Sequence, residues 1–218
     1  MKGLGRNVKY LSGILLASHI ATYIAFCISF GLLCFWEEEP LILLKETLPA
    51  SLVAVTFLLI LVAICFAESW CCTLVSLGSI RKTAAVGILT SEHVFLVLQI
   101  GIVLGLAYFV EENAFMQMIS ACPLGVIFLI LLIVGVGLLL VSLNLKGHVV
   151  LTAILGVTLY AVLILLVGIV GTRFAIEMNK ELLMPYNNWG LLAAGLAIDL
   201  LGAFVYYKTV TKVDLKLA

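Results

Sequence analysis

The fold is decided by residues 124–143, which read LGVIFLILLIVGVGLLLVSL and contain no charged side chain. A helix rises 1.5 Å per residue, so about 20 apolar residues cross the hydrocarbon core of a bilayer, which is roughly 30 Å thick. Lipid offers no hydrogen-bond partner to the backbone, and a helix pairs its backbone groups internally. This stretch therefore predicts a transmembrane helix.

Five other apolar runs carry the same pattern. The six predicted spans are residues 10–36, 48–67, 94–110, 124–143, 149–172 and 189–207. The chain is 64% hydrophobic and 11% charged, whereas soluble domains average about 45–50% apolar and roughly 25% charged residues. No repeat or linker divides the chain. Residues 1–218 therefore predict one all-α domain, a polytopic integral membrane protein built as a compact bundle of six transmembrane helices.

The charges between the spans predict that both termini lie in the cytosol. With the N-terminus inside, the inner segments carry Lys2, Arg6, Lys9, Arg81, Lys82, Lys146, Lys208, Lys212 and Lys216. The outer segments carry only Lys45, Arg173 and Lys180. Cytoplasmic segments of membrane proteins are enriched in Lys and Arg, so this asymmetry favours the N-in, C-in topology.

The longest segment between spans is 68–93, which mixes apolar residues with Arg81 and Lys82. We expect part of it to lie in the inner membrane interface. Thr90 or Ser91 would then cap the third helix, with Glu92 in its first turn.

Polar side chains within the predicted spans are the first candidates for function. His19, Gln99 and Asp199 are expected at similar depth, and Tyr23 shares a face of the first span with His19. Ionisable groups in hydrocarbon are costly unless paired or hydrated, so they face the bundle interior. We expect His19 to contact Asp199. Two interpretations stay open, a relay for protons or cations and a hydrogen bond that holds helices together.

Small side chains recur every four residues along the first span. They are Gly13, Ala17, Ala21, Ala25 and Ser29, and Gly101 and Gly105 form a shorter pair in the third span. Small residues let two helix backbones approach closely in a membrane. The pattern predicts a packing surface, either within this bundle or against a partner's helix.

The cysteines offer two further candidates. Cys71 and Cys72 follow the second predicted span on the inner side, where a juxtamembrane cysteine is a candidate for palmitoylation. Cys34 and Cys122 fall near the outer ends of two spans. Whether they form a disulfide depends on geometry that the sequence does not contain.

No cofactor or metal is expected. His93 and His148 both lie near inner ends of spans, but no flanking signature supports a haem held between them. Cysteine and histidine spacings typical of metal sites, and motifs typical of nucleotide binding or hydrolysis, do not occur in the sequence.

These observations favour a non-catalytic membrane subunit or scaffold that associates through helix packing. Its expected partners are the lipid bilayer and a membrane protein or a second copy of the chain, and a net charge of zero gives no indication of nucleic-acid binding. The alternative is a small transporter or channel for protons, cations or a small solute that uses Asp199, His19 and Gln99. A third possibility is an intramembrane enzyme or redox subunit. No signal in the sequence selects a particular membrane.

Overall fold

A computed structural model describes residues 3–34, 40–110, 113–158, 161 and 180–212, and these ranges are helical with no strand. The elements are α1 (Leu4–Cys34), α2 (Pro40–Ser76), α3 (Arg81–Phe109), α4 (Ala114–Ala121), α5 (Pro123–Leu145), α6 (Val149–Thr158), a 3₁₀ helix (Lys180–Tyr186) and α7 (Trp189–Lys212).

Five stretches are helical, long and apolar enough to cross a bilayer. They are Leu4–Leu32, Thr47–Ala67, Arg81–Phe109, Pro123–Leu145 and Leu183–Lys212. The chain is therefore a bundle of transmembrane-type helices, as predicted for five of the six spans. Of the remaining span, 149–172, the structure describes only α6 and residue 161, and the rest lies outside the described residues.

Segment 68–93, part of which is expected in the membrane interface, forms a tight helical hairpin. α2 continues to Ser76, and α3 begins at Arg81. Gly78 between them has a φ of +84°, and the Ser79 N–H donates to the Leu74 carbonyl at 2.9 Å. This is a glycine C-cap, which needs the left-handed conformation that glycine adopts without strain.

The start of α3 corrects the prediction of its N-terminal cap. Thr90 and Ser91 lie in the middle of this helix, and Ile80 occupies its N-cap with no capping side chain. The prediction was wrong because Glu92 and His93 were taken to mark a membrane boundary. In the structure Glu92 is buried, so its charge marks the interior of the bundle.

A second glycine cap ends α5 at the same end of the bundle. Gly147 has a φ of +88°, and the His148 N–H donates to the Leu143 carbonyl at 3.1 Å. Because the turn is so short, α6 starts at once at Val149.

Contacts between the helices fix their directions. α1 and α3 run the same way, because Asn7 lies against Gly87 and His19 against Gln99. α2 runs opposite to α1, because Tyr23 bonds to Thr56 while Asn7 bonds to Ser79 beyond the end of α2.

α5 and α7 run parallel to each other, and α2 shares their direction. Phe128 of α5 lies against Gly195 of α7, and Gly135 lies against Gly202. The Tyr206 hydroxyl donates to the Ala67 carbonyl of α2 at 3.0 Å. We call the end that holds the N-terminus of α1 and the C-terminus of α7 the Gly78 end.

The opposite end is here called the Asn187 end. There the Leu124 N–H, in the first turn of α5, donates to Asn187 Oδ1 at 3.0 Å. Asn113 caps α4 by accepting bonds from the N–H groups of Phe115 and Met116. These caps satisfy helix N–H groups that have no partner within their own helix.

Candidate functional site

The central polar contact of the bundle joins α3 and α7. His93 Nε2 lies 3.1 Å from Asp199 Oδ2, and both residues are near the middle of their helices. Asp199 is 3% exposed, whereas the His93 side chain is 34% exposed. The pair therefore connects a fully buried carboxyl to the outer surface of the bundle.

Hydrogen bonding determines how many protons this pair carries. His93 Nδ1 lies 2.7 Å from the Leu89 carbonyl oxygen, which can only accept, so Nδ1 carries a proton. A bond between Nε2 and Asp199 Oδ2 then needs a second proton, which belongs either to the imidazole or to the carboxyl. In the first case a cation faces an anion, and in the second both groups are neutral. The contact as built thus holds one shared proton and has no net charge.

Glu92 is a second buried carboxyl beside this pair. It is 6% exposed, and neither of its side-chain oxygens has a hydrogen-bond partner among the described residues. Asp199 Oδ1 and the Ser91 hydroxyl are also buried without such a partner. An unpaired buried polar group costs about 1–3 kcal/mol, and a charged one costs more. Within the described residues, the cluster thus contains buried polar atoms whose loss of water is not offset by a hydrogen bond.

The predicted contact between His19 and Asp199 does not form. His19 instead binds Gln99, with 2.7 Å between His19 Nε2 and Gln99 Nε2, while His19 Nδ1 bonds the Leu15 carbonyl at 2.7 Å. As placed, the amide donates to a neutral imidazole, and both ring nitrogens are satisfied. The Phe95 ring lies 5.1 Å from the imidazole centroid. His19 and Gln99 face the interior as predicted, but the histidine that bonds to Asp199 is His93 of α3.

The polar groups continue along the bundle in both directions. Glu92 and Gln99 are seven residues apart on the buried face of α3, which is two helical turns or about 10 Å. Further toward the Asn187 end, the Tyr23 and Thr56 hydroxyls lie 2.6 Å apart. At the Gly78 end, the Ser79 hydroxyl donates to Asn7 Oδ1 at 2.9 Å. Tyr23 therefore belongs to a separate pair.

Three glycines position Asp199. A Cβ on Gly135 would lie 2.7 Å from the Asp199 backbone, a Cβ on Gly195 would lie 3.1 Å from the Phe128 ring, and a Cβ on Gly202 would overlap the Gly135 carbonyl. α5 and α7 thus touch through their backbones on both sides of Asp199. Gly195 and Gly202, which lie on either side of Asp199 in α7, both pack against the backbone of α5. The sequence pattern did not identify Gly135 as a packing residue.

In the part of the chain that the structure describes, the small residues of the first span do not pack inside the bundle. Gly13, Ala17, Ala21, Ala25 and Ser29 are all exposed on α1. Gly101 and Gly105 have no atom within 4 Å of an added Cβ. Of the two interpretations of the α1 pattern, packing within this chain has no support among the described residues. The face of α1 that does enter the bundle carries Leu11, Leu15 and His19.

The cysteine predictions fare differently from one another. Cys71 is fully buried and lies within α2 together with the half-buried Cys72. A fully buried thiol offers no site for an acyl chain, so palmitoylation of Cys71 is not supported. Cys122 is buried outside a disulfide, and burial raises the pKa of its thiol. Cys34 closes α1, and its side chain lies outside the described residues.

The haem hypothesis involved His93 and His148. Both ring nitrogens of His93 are engaged with Leu89 and Asp199, while His148 is exposed at the turn before α6. Within the described residues, no group of three or more His, Cys, Asp or Glu side chains is arranged to hold a metal ion. The chemistry that the cluster can support is proton binding and exchange.

Comparison with known proteins identifies no matching family model, no similar curated protein and no similar solved structure. The fold itself defines the class of the protein, a transmembrane helix bundle.

Proposed function

We propose that the protein is an integral membrane subunit with six membrane crossings that assembles through the exposed face of α1. The parallel packing of α5 and α7 supports the proposed sixth crossing. Since both helices run from the Asn187 end to the Gly78 end, the chain between them has to return across the bundle. Residues 149–172 supply an uncharged run long enough to do so.

Basic residues support an orientation with both termini in the cytosol. Those among the described residues near the Gly78 end are Arg6, Lys9, Arg81, Lys82, Lys146, Lys208 and Lys212. The positive-inside rule assigns this end to the cytosolic face.

The orientation is tested by labelling single added cysteines with a membrane-impermeant thiol reagent. Lys146→Cys, at the Gly78 end, should label only after the membrane is opened. Met184→Cys, at the Asn187 end, should label in intact cells. The signal is the increment over the unmodified chain. Labelling of both variants from the same side would contradict six crossings.

One observation carries the assembly proposal, a matched groove and ridge on the outer side of α1. The groove is the row of exposed small residues that begins at Gly13. The ridge is a second row, also spaced by four, and consists of Leu16, Ile20, Ile24, Ile28 and Leu32. Its exposure rises from 50% at Leu16 to 62% at Leu32. Rows spaced by four are the ridges and grooves through which helices interdigitate.

The occupant that fits this face is a second copy of α1. The two rows lie side by side, so the ridge of one copy can enter the groove of the other and the reverse contact follows by symmetry. Such self-complementarity is the requirement for a two-fold interface. Close contact across small residues is also the established means of helix association in lipid, where apolar burial alone gives no preference.

Ala21→Leu tests the proposal because it fills the groove at its centre. Self-association, measured by energy transfer between labelled copies in vesicles, should weaken at least tenfold. Ala197→Leu is the matched control, since Ala197 is an exposed alanine on α7. Equal association of the two variants would overturn the dimer. Loss of association in both variants would do so as well, since α1 would then have no special role.

A second candidate function is the movement of protons across the membrane. The observation that favours it is the series of interior polar groups on α3, from Glu92 and His93 to Gln99. Asp199→Asn keeps the shape of the side chain and removes its charge. Proton flux into vesicles that contain the purified protein should fall to the level of empty vesicles. Unchanged flux would eliminate this function and leave the assembly proposal intact.

A further inference from the structure

The unpaired carboxyl oxygens around α3 need a ligand, and their placement identifies its class. Glu92 contributes two such oxygens and Asp199 contributes one. The three belong to side chains that are at least nine-tenths buried. Buried polar atoms in folded proteins almost always have partners, so each exception calls for a physical explanation.

Two other buried polar side chains of the bundle already have partners, whereas the buried Ser91 hydroxyl has none among the described residues. The Tyr206 hydroxyl donates to the Ala67 carbonyl. Gln99 donates to His19. Neither Glu92 carboxyl oxygen has a hydrogen-bond partner in the described part of the chain.

The titratable neighbours of the cluster are few. From α3 there is His93, and from α7 there is Asp199. α1 contributes His19, whose ring nitrogens are both bonded. α5 contributes no titratable side chain between Pro123 and Leu145, and α2 contributes the buried thiol of Cys71. Among these described neighbours, only His93 can oppose a negative charge on Glu92.

We propose that Glu92, His93 and Asp199 form a proton-binding site in which Glu92 takes up a proton in addition to the one that His93 and Asp199 share. In the binding step, a proton from water adds to one carboxyl oxygen of Glu92 and forms an O–H bond. No other bond changes, and the carboxylate becomes a neutral carboxylic acid. The fully loaded cluster then holds two protons and carries no net charge.

His93 is the route by which the proton arrives. It is the only member of the three that is substantially exposed, and it adjoins Glu92 in the chain. His93 can pass the proton that Nε2 shares with Asp199 inward to a carboxyl and then take up another proton at Nε2, while Nδ1 stays bonded to the Leu89 carbonyl. His93 is thus a positioning and exchange residue, and Glu92 is the binding residue.

A metal ion is a less suitable ligand. The described side chains include no cluster of three or more metal-ligating residues at this place. The imidazole also presents nitrogens that are both committed to hydrogen bonds. A proton needs only one oxygen, whereas a cation such as Na⁺ or Ca²⁺ needs several oxygens converging on one point.

This inference deepens the second candidate function, since a transporter of protons needs a binding site. It does not depend on that function, because proton binding at equilibrium requires no flux. The test is therefore made on the full-length protein in detergent, where flux is not measured. If the unmodified protein binds the proton but gives no proton flux in vesicles, transport is rejected and the proton-binding site is retained.

The experiment is infrared difference spectroscopy between acidic and alkaline samples, combined with a count of protons taken up after a pH jump. The unmodified protein should show a carboxylic acid C=O band from a buried side chain. Growth on glutamate labelled with ¹³C at the side-chain carboxyl should shift this band. Absence of a shift would overturn the assignment to glutamate without any variant having to fold.

Three variants then locate the site. Glu92→Gln should lose the band and take up one proton fewer per chain. His93→Gln should retain the Glu92 band but slow proton uptake at least tenfold. Glu111→Gln, between α3 and α4 in the sequence, is the matched control and should retain the band and the rate. A Glu92→Gln protein that keeps the band, or a His93→Gln protein with unchanged uptake kinetics, would contradict the corresponding assignment.

Discussion

Gly202 of α7 packs directly on the carbonyl group of Gly135 in α5, with no room for a methyl group between the two backbones. Helices in lipid associate mainly by close packing. Lipid tails are as apolar as leucine side chains, so the hydrophobic effect does not drive the helices together. The two glycines therefore form the tightest helix contact around Asp199, whose backbone also lies against Gly135.

Replacing either glycine by alanine should separate α5 from α7. Gly202→Ala and Gly135→Ala are each expected to lower the free energy of unfolding by about 1–3 kcal/mol, the usual cost of overpacking. Thermal unfolding in detergent measures the effect. Gly101→Ala is the control, because nothing lies within 4 Å of its added Cβ. That variant should be neutral or more stable by about 0.5–1 kcal/mol, since alanine favours helix.

Tyr206→Phe removes the hydroxyl that donates to the Ala67 carbonyl. A net loss of about 0.5–1.5 kcal/mol in unfolding free energy is expected, the typical contribution of one buried hydrogen bond. Tyr207→Phe is the neighbouring control, because the half-buried Tyr207 makes no hydrogen bond within the described residues. If both variants unfold at the same midpoint, the bond between α7 and α2 contributes nothing measurable.

A double-mutant cycle on His19 and Gln99 measures the contact between α1 and α3. Gln99→Leu, His19→Leu and the double variant should give a coupling of about 0.6 kcal/mol, with roughly 1.7 kcal/mol as the upper range in membrane bundles. Thr152→Val on α6 touches neither residue and serves with Gln99→Leu as a reference pair, for which additivity is expected. Additivity in the His19 cycle as well would mean that this hydrogen bond does not hold the helices together.

Cys122 should make stability fall at alkaline pH. Burial raises the pKa of its thiol, so the folded chain keeps the proton in a pH range where the unfolded chain has released it. The folded state then binds more protons than the unfolded state, and the unfolding free energy decreases as pH rises above the ordinary pKa of a thiol. Below that range the thiol has no effect. Unfolding midpoints measured across the alkaline range test this, and Cys122→Ala should flatten the decline.

The helices were largely predictable from the sequence, because long uncharged runs in a lipid solvent leave no other structure. The clear exception is the start of α3. The positions of charges in the sequence do not show whether Glu92 and His93 face water at a helix end or face other helices inside the bundle. Since ionisable residues in membrane helices turn inward, the helix continues through them to Arg81.

The site was predicted only in part for the same reason. The sequence identifies Asp199, His19 and Gln99 as interior groups, and all three are buried. Which of these side chains pair depends on the direction of each helix and on its rotation about its own axis, and amino-acid composition specifies neither. With α3 starting at Arg81, His93 moves to the level of Asp199 and takes the place that the sequence suggested for His19. The exposed position of the α1 stripe depends in the same way on which side of α1 meets α3.

The parallel pairing of α5 and α7 also constrains how the chain is made. A ribosome delivers α5 to the membrane first, and its glycine surface cannot meet α7 until the intervening residues have been inserted. During that interval Gly135 faces lipid or another protein that binds transiently. Glu92 of α3 lies in the membrane without Asp199 of α7 beside it. A chain that ends before α7 would leave the glycine surface of α5 exposed. Quality-control proteases in the bilayer could recognise such chains by this exposed surface.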